Sequence, residues 1–399
     1  MFTNLNKLWK YIDQFSFALL NVGMIFFASR FLDNTQATKY IIINSYSSFS
    51  LVVIASLVIA PFWVFSVEKE TRGYHYRLSL YLTTFISLLS AFILSSLLYI
   101  KEHDSKYSLL IFGLSMCYPL YDFLRRSLYI IKKEYISAIL STLLLFASLL
   151  SYGLMYFSGI RQASDYLFVL IVIMSLVSLV IIFINKTNYS ISSFTLNTKK
   201  VILEYWTIGK WSVASMLCFW VVTQGSFIYF EKIIDNEQLV FTRLALSLSG
   251  IIAIYFSAIE NKLMPEVRSI IYEGNSNLLI STRRSYFKNG IIISTLSTLF
   301  VFIFYLLFVK NDQYQLSILL IMCLYQSISG VFKFSSFQLK AKKLHKSVFF
   351  CNLISVVIIV IIYCVIGKGN GFLLPLILFF NGVFSSVMYH CSLYINRGK

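Results

Sequence analysis

The chain has 399 residues, 58% of them hydrophobic and only 13% charged, with a mean hydropathy of +0.76. A soluble protein of this size needs more polar surface than that to cover its core, so an integral membrane protein is indicated. The net charge of +17 does not make it a nucleic-acid binder, because the inner loops of membrane proteins collect Lys and Arg.

Apolar runs of about twenty residues recur along the chain, the signature of spanning helices. The N-terminal MFTNLNKLWKYIDQ is polar and flows into the first span, so no cleavable signal is expected. Helix 1 is expected over about 15–32, helix 2 over 40–67 with Pro61 near its far end, and helix 3 over 78–100. Helices 4, 5 and 6 follow at about 107–124, 136–157 and 166–184. The Asn-, Ser-, Thr- and Lys-rich stretch 186–210 then reads as a cytoplasmic linker. Its later part, KKVILEYWTIGKW, suits an amphipathic helix lying on the membrane face. Helices 7 and 8 are expected at about 211–230 and 239–263, the latter ending before Pro265. Helices 9 to 12 fall near 287–309, 314–332, 347–366 and 372–396, and no loop is long enough for a soluble domain.

The second half repeats the first. With a fixed offset of 202 residues, Trp9 meets Trp211, Phe17 meets Phe219, Gly23 meets Gly225, and the Asp33-Asn34-x-Gln36 run meets Asp235-Asn236-x-Gln238. Gly23 and Gly225 read as close-packing positions. The expectation is an all-α polytopic protein with twelve transmembrane helices in two six-helix lobes. These are an N-lobe (1–185) and a C-lobe (211–399), joined by the linker (186–210). With both termini inside, 25 of the 34 basic residues fall on the inner side. The outer nine are Arg30, Lys39, Lys101, Lys106, Arg161, Lys232, Arg243, Lys310 and Lys368. Six spans separate the repeats, so both enter the membrane in the same direction and the pseudo-twofold axis lies along the membrane normal.

Polar residues in lipid are expensive and need a reason. Arg30, Lys39, Lys232 and Arg243 stand at repeat-related places near the outer ends of helices 1, 2, 7 and 8. One reading makes them a cationic ring for a diphosphate or an acidic sugar. The other has them snorkel to headgroups or pair with Asp33, Asp235 and Glu237. Asn21, Asn44 and Gln224 lie on the same helices and either meet sugar hydroxyls or bond between helices. The acids Asp13, Asp122 and Glu260 are candidates for a coupling ion. Local explanations compete: a helix start for Asp13, pairs with Arg125 and Arg126 for Asp122, and nearby Lys262 for Glu260.

The six cysteines form no CxxC or Cys/His cluster, and the four histidines are scattered without ligand spacing. No phosphate-cradling loop or nucleophile elbow occurs. No metal, cofactor or catalytic residue is expected, and the chain reads as a transporter rather than an enzyme.

The six-plus-six plan, the short outer loops, FLDNTQATKY with Pro61, the parallel FTRLALSLSGIIAIYFSAIENKLMPEVRS and the RRSLYIIKKEYISAIL turn resemble the polysaccharide flippases of the MOP superfamily. Wzx-type O-antigen and capsule repeat-unit translocases are the most similar in look. The resemblance implies alternating-access transfer of undecaprenyl-diphosphate-linked oligosaccharide from the inner to the outer leaflet of a bacterial cytoplasmic membrane. It also implies a monomer among membrane lipids, with the pathway's polymerase and chain-length regulator as further partners, and function for basic residues in the places of Arg30, Lys39, Lys232 and Arg243. The alternatives are a MATE-like exporter of a small molecule and, behind it, a polysaccharide polymerase.

Overall fold

A computed structural model describes residues 2–66, 69–188, 198–308, 312–342, 344–366 and 372–395, and among these every regular element is helical. Lys310, Lys343, Lys368, Arg397, Lys399 and the linker residues 189–197 lie outside the described residues, as do the side chains of Lys7, Lys10, Lys69, Lys262 and Pro265. Eleven helical stretches of the described residues are long and apolar enough to cross a membrane, and His345–Ile361 is a further, shorter apolar helix. The chain is a multi-pass, all-α membrane protein. With no water in hydrocarbon, each backbone N–H must find its carbonyl inside its own helix.

The chain divides into two compact units, Met1–Trp220 and Val221–Lys399. The first holds α1 (Phe2–Phe31), α2 (Asn34–Ile54), a π turn (Ala55–Ile59), α3 (Ala60–Phe65), α4 (Lys69–Glu102), α5 (Ser105–Ile130), α6 (Glu134–Phe157), α7 (Ala163–Asn188) and α8 (Thr198–Trp220). Within it, α5 packs on α2, α4 and α7, while α1 packs on α6 and α8 on the π turn. The second holds another π turn (Val221–Gly225), α9 (Ser226–Phe230), α10 (Asn236–Tyr272), α11 (Ser276–Phe308), α12 (Gln313–Val331), α13 (Phe334–Ala341), α14 (His345–Ile366) and α15 (Leu373–Ile395). There α10 and α15 both pack on α12.

The repeated Asp-Asn motif turns out to be a helix N-cap. Asp33 and Asp235 both sit in extended backbone just before α2 and α10. The Asp33 carboxylate accepts from the backbone N–H of Thr35 (3.0 Å) and Gln36 (2.9 Å), whereas Asp235 makes no side-chain cap. Bonds from the Thr35 hydroxyl and the Gln36 N–H hold the Asp33 carboxyl below its ordinary range. Gln36 extends the joint by accepting from the Ala163 N–H (3.0 Å) at the start of α7.

Several helices run past their expected ends. The segments 69–77 and 276–286, placed between expected spans, are opening turns of α4 and α11, and α10 continues through Pro265 to Tyr272. A polar helix outside lipid satisfies its backbone as well as an apolar one does, and stops only at a specific signal. For α10 that signal is Gly274, whose φ of +69° closes the helix. Asn275 N–H then bonds to Ile270 O and Gly274 N–H to Ile271 O. Pro61 does not terminate a helix either; it sits in the first turn of α3, where its missing N–H falls just after the wide π turn. The KKVILEYWTIGKW stretch lies in α8, which runs unbroken from Thr198 through Lys210 to Trp220, so it is no separate helix. Gly23 is not a close-packing position, since an added Cβ would lie 3.6 Å from Leu149, an ordinary contact.

Gly330 on α12 is the close approach. A Cβ there would stand 2.0 Å from the Phe256 ring, which is buried at 1% exposure on α10. Gly330→Ala is therefore expected to cost about 1–3 kcal/mol by overpacking. Gly250→Ala on α10, with nothing within 4 Å of the new atom, should be neutral or slightly stabilising. Thermal unfolding of both variants in detergent checks the contrast, and equal midpoints would contradict it.

Candidate functional site

Unit 1 contains a buried charge cluster built from three helices. Asp13 is not at a helix start: α1 begins eleven residues earlier at Phe2, and Asp13 is fully buried at 0% exposure. Its partner is Arg125 of α5, also at 0% exposure, with Nη1 2.5 Å from Asp13 Oδ2. Tyr129 donates to the same carboxylate, and Ser137 (3.0 Å) and Ser141 of α6 donate to its other oxygen. The guanidinium also reaches Asp122 Oδ1 at 2.7 Å through Nη2 and lies 4.2 Å from the Phe17 ring centroid. Arg126 Nε approaches the same Asp122 oxygen at 2.9 Å, so Asp122 holds both arginines at the i+3 and i+4 spacings.

Burying charge is tolerated only when the charges are paired and hydrogen-bonded. Asp13 meets that condition with four donors from α5 and α6. The cluster leaves two atoms short, Asp122 Oδ2 and Arg125 Nε, which are buried without a hydrogen-bond partner. The acids here are neutralised by the chain's own bases rather than open to a solute cation.

Asn21 and Asn44 meet in unit 1 at a cavity of about 10 Å³, shared with Tyr40, Ser47 and Tyr118. That holds about one water, far less than a sugar ring. Asn21 is engaged there: its amide donates to Phe17 O (3.0 Å) and its carbonyl oxygen accepts from Tyr118. The interhelical hydrogen-bonding reading fits Asn21. Arg30 and Lys39 are exposed, with the Lys39 ammonium 4.8 Å from the Tyr107 ring centroid.

In unit 2, Lys232 is exposed but Arg243 is buried at 6% exposure on α10. Arg243 Nη1 donates to the Gln224 side-chain oxygen at 2.7 Å, and its guanidinium lies 5.1 Å from the Phe227 ring centroid. The structure thus joins two residues named from sequence, Arg243 and Gln224, through the π turn that carries Gln224. No ion pair from Arg30 or Lys232 to Asp33, Asp235 or Glu237 forms among the described residues. Glu260 is clamped by Lys333 (2.6 Å) of the α12–α13 joint and Lys340 (2.9 Å) of α13, while the side chain of Lys262 lies outside the description. No group of His, Cys, Asp and Glu suited to a metal ion occurs among the described residues.

Two signals for the buried cluster are present in the sequence. Ser137 and Ser141 stand four apart, on one face of α6, and Arg125 stands beside Asp122 and Arg126 near the end of the α5 span. Neither names Asp13, which lies 112 residues from Arg125.

No protein-family model matches the chain, and no curated protein matches it. Solved structures do. An outward-facing multidrug resistance MATE family transporter of the MOP superfamily aligns at 13% identity and TM-score 0.67, covering 98% of this chain and 94% of that one. An inward-facing structure with the same description aligns at 12% identity and TM-score 0.67, covering 97% and 98%. The MATE multidrug transporter DinF-BH, solved in complex with a ligand, aligns at 13% identity and TM-score 0.66, covering 99% and 95%. At these identities the likeness establishes the fold: this chain is folded as the MATE transporters of the MOP superfamily are.

Removing Arg125 leaves the buried Asp13 without its charge partner and Asp122 with Arg126 alone. Arg125→Leu is expected to cost about 3–5 kcal/mol, while Arg126→Leu, partly exposed, should cost under about 1 kcal/mol. Detergent thermal unfolding and expression level read both, and similar losses for the two variants would contradict the assignment.

Proposed function

We propose that the chain is a flippase that carries an anionic, lipid-linked oligosaccharide, of the undecaprenyl-diphosphate class, across a bacterial cytoplasmic membrane by alternating access. The observation that carries this reading is the asymmetry of charge. Asp13, Asp122 and Glu260, the acids a cationic substrate or a coupling ion would need, are each held within 3.0 Å of an arginine or lysine. Arg243 is a guanidinium buried on a spanning helix, where Nη1 donates to the Gln224 side chain and the group lies against the Phe227 ring. A desolvated guanidinium is suited to a phosphate, which it grips with two parallel N–H donors.

The fold also supports a second reading, a MATE-like exporter of a small molecule, because the similar solved structures are multidrug transporters and one is in complex with a ligand. That reading calls for an uncommitted acid facing a cationic solute, and the three named acids are committed. The pathway's polymerase and chain-length regulator are proposed as neighbours in the membrane on the strength of the first reading alone.

In a strain lacking its own O-antigen flippase, the wild-type chain should restore surface polysaccharide when the matching repeat unit is supplied. Arg243→Ala should lower it at least about tenfold at equal protein level, the loss of one charge-assisted hydrogen bond. Arg243→Lys, which keeps charge but not the bidentate fork, should fall between. Resistance to a cationic dye with no polysaccharide restored would favour the exporter.

A further inference from the structure

We propose that unit 2 carries a separate binding site for the phosphate headgroup of an anionic membrane phospholipid. The site is a cavity of about 360 Å³ where the ends of α10 and α15, the start of α11 and the end of α13 meet. Its polar lining is Ser276, Arg283, Gln338, Lys342 and His390. Three of these are basic residue types and none is acidic. Arg283 Nη2 stands 3.4 Å from His390 Nδ1, so the two side chains meet at one wall of the cavity. Guanidinium, ammonium, imidazole N–H and a buried side-chain amide together form a donor set for phosphate oxygens. Ser276 opens the 33-residue helix α11, whose positive dipole end adds to the same potential.

The surroundings select a lipid over a free ion. Leu279 and Leu393 form an apolar wall, and Ile280 and Tyr394 stand at its rim with 57% and 67% exposure. Along α11 the cavity residues Ser276 to Arg283 precede Lys288 and the apolar stretch from Ile291 onward, so the cavity lies on the headgroup side of the point where this helix enters hydrocarbon. Exposed isoleucine and tyrosine on that side suit the interfacial belt. Basic pockets between helices at such an interface hold phosphate headgroups. The inference does not depend on which cargo the protein moves.

The test uses the full chain, purified in detergent and titrated with phosphatidylglycerol or phosphatidylcholine, with lipid retention read by native mass spectrometry. One phosphatidylglycerol is expected to be retained in preference to phosphatidylcholine, at about fivefold per basic residue engaged. Arg283→Ala and the pair Arg283→Ala/His390→Ala should lose that preference stepwise, and Arg283→Lys should keep part of it. Arg284→Ala, one residue away and outside the lining, should keep all of it. Millimolar inorganic phosphate should not displace the lipid. Equal retention of the two lipids, undiminished preference in the double variant, or an equal loss in Arg284→Ala would overturn the proposal. Displacement by inorganic phosphate would overturn the lipid as occupant. Monodisperse elution accompanies each variant, and Arg283→Lys and His390→Ala decide the outcome if Arg283→Ala fails to fold.

Discussion

A single buried guanidinium organises the first unit. Arg125 cannot be left uncharged and cannot be left alone in an apolar interior, so the helices around it must bring acceptors to it. Asp13 comes from α1 and Asp122 from one turn earlier on α5, while Ser137 and Ser141 of α6 satisfy the rest of the Asp13 carboxylate. Three helices are thereby fixed in register at one depth. Such a cluster contributes little net stability over an apolar core of the same shape, but breaking it is costly. Its effect is to specify one packing of α1, α5 and α6 over its competitors.

The second unit meets the same demand differently. If the end of α12–α13 is laid on the end of α5 so that Lys342 meets Lys132, Arg125 and Arg126 fall on Ser335 and Ser336. Both serines are buried and neutral. The acid is on α10 instead, where Glu260 takes two lysines. The duplication has kept the helix plan and let the charges move. Glu260 is about one-fifth exposed, so its lysines share it with water, while Asp13 and Arg125 are sealed from it among each other, Asp122 and their hydroxyl partners. The two units are therefore not interchangeable in their response to losing a charge.

Much of this fold is legible in the chain. Apolar runs locate the spans because hydrocarbon forbids any other backbone arrangement for an isolated segment, and Asp33-Asn34 marks a helix start through its cap. Asp122's two arginines follow from helical spacing. What local pattern does not carry is distance. Asp13 and Arg125 are joined across 112 residues, and Glu260 and Lys340 across 80. Nearest-neighbour reasoning assigns Asp13 to a helix start and Glu260 to Lys262 for that reason. Helix ends outside lipid are equally silent, since α10 carries polar residues without breaking until Gly274 turns the chain, and α11 opens with polar residues two positions later. The Arg243–Gln224 pair falls between these cases: both stand out by depth, but their contact depends on a π turn with no sequence signature of its own.

The proposed cargo is an anion on a lipid, a reading that rests on the committed acids and on the guanidinium buried in α10. The most direct measurement is made on the purified chain in proteoliposomes holding a fluorescent undecaprenyl-diphosphate oligosaccharide, with a membrane-impermeant quencher added outside. The account predicts that quenching rises from about half of the label in protein-free vesicles toward all of it when the chain is present, as expected when cargo exchanges between leaflets. A quenched fraction that stays at the protein-free level, in vesicles where the chain is shown to be folded, would contradict it.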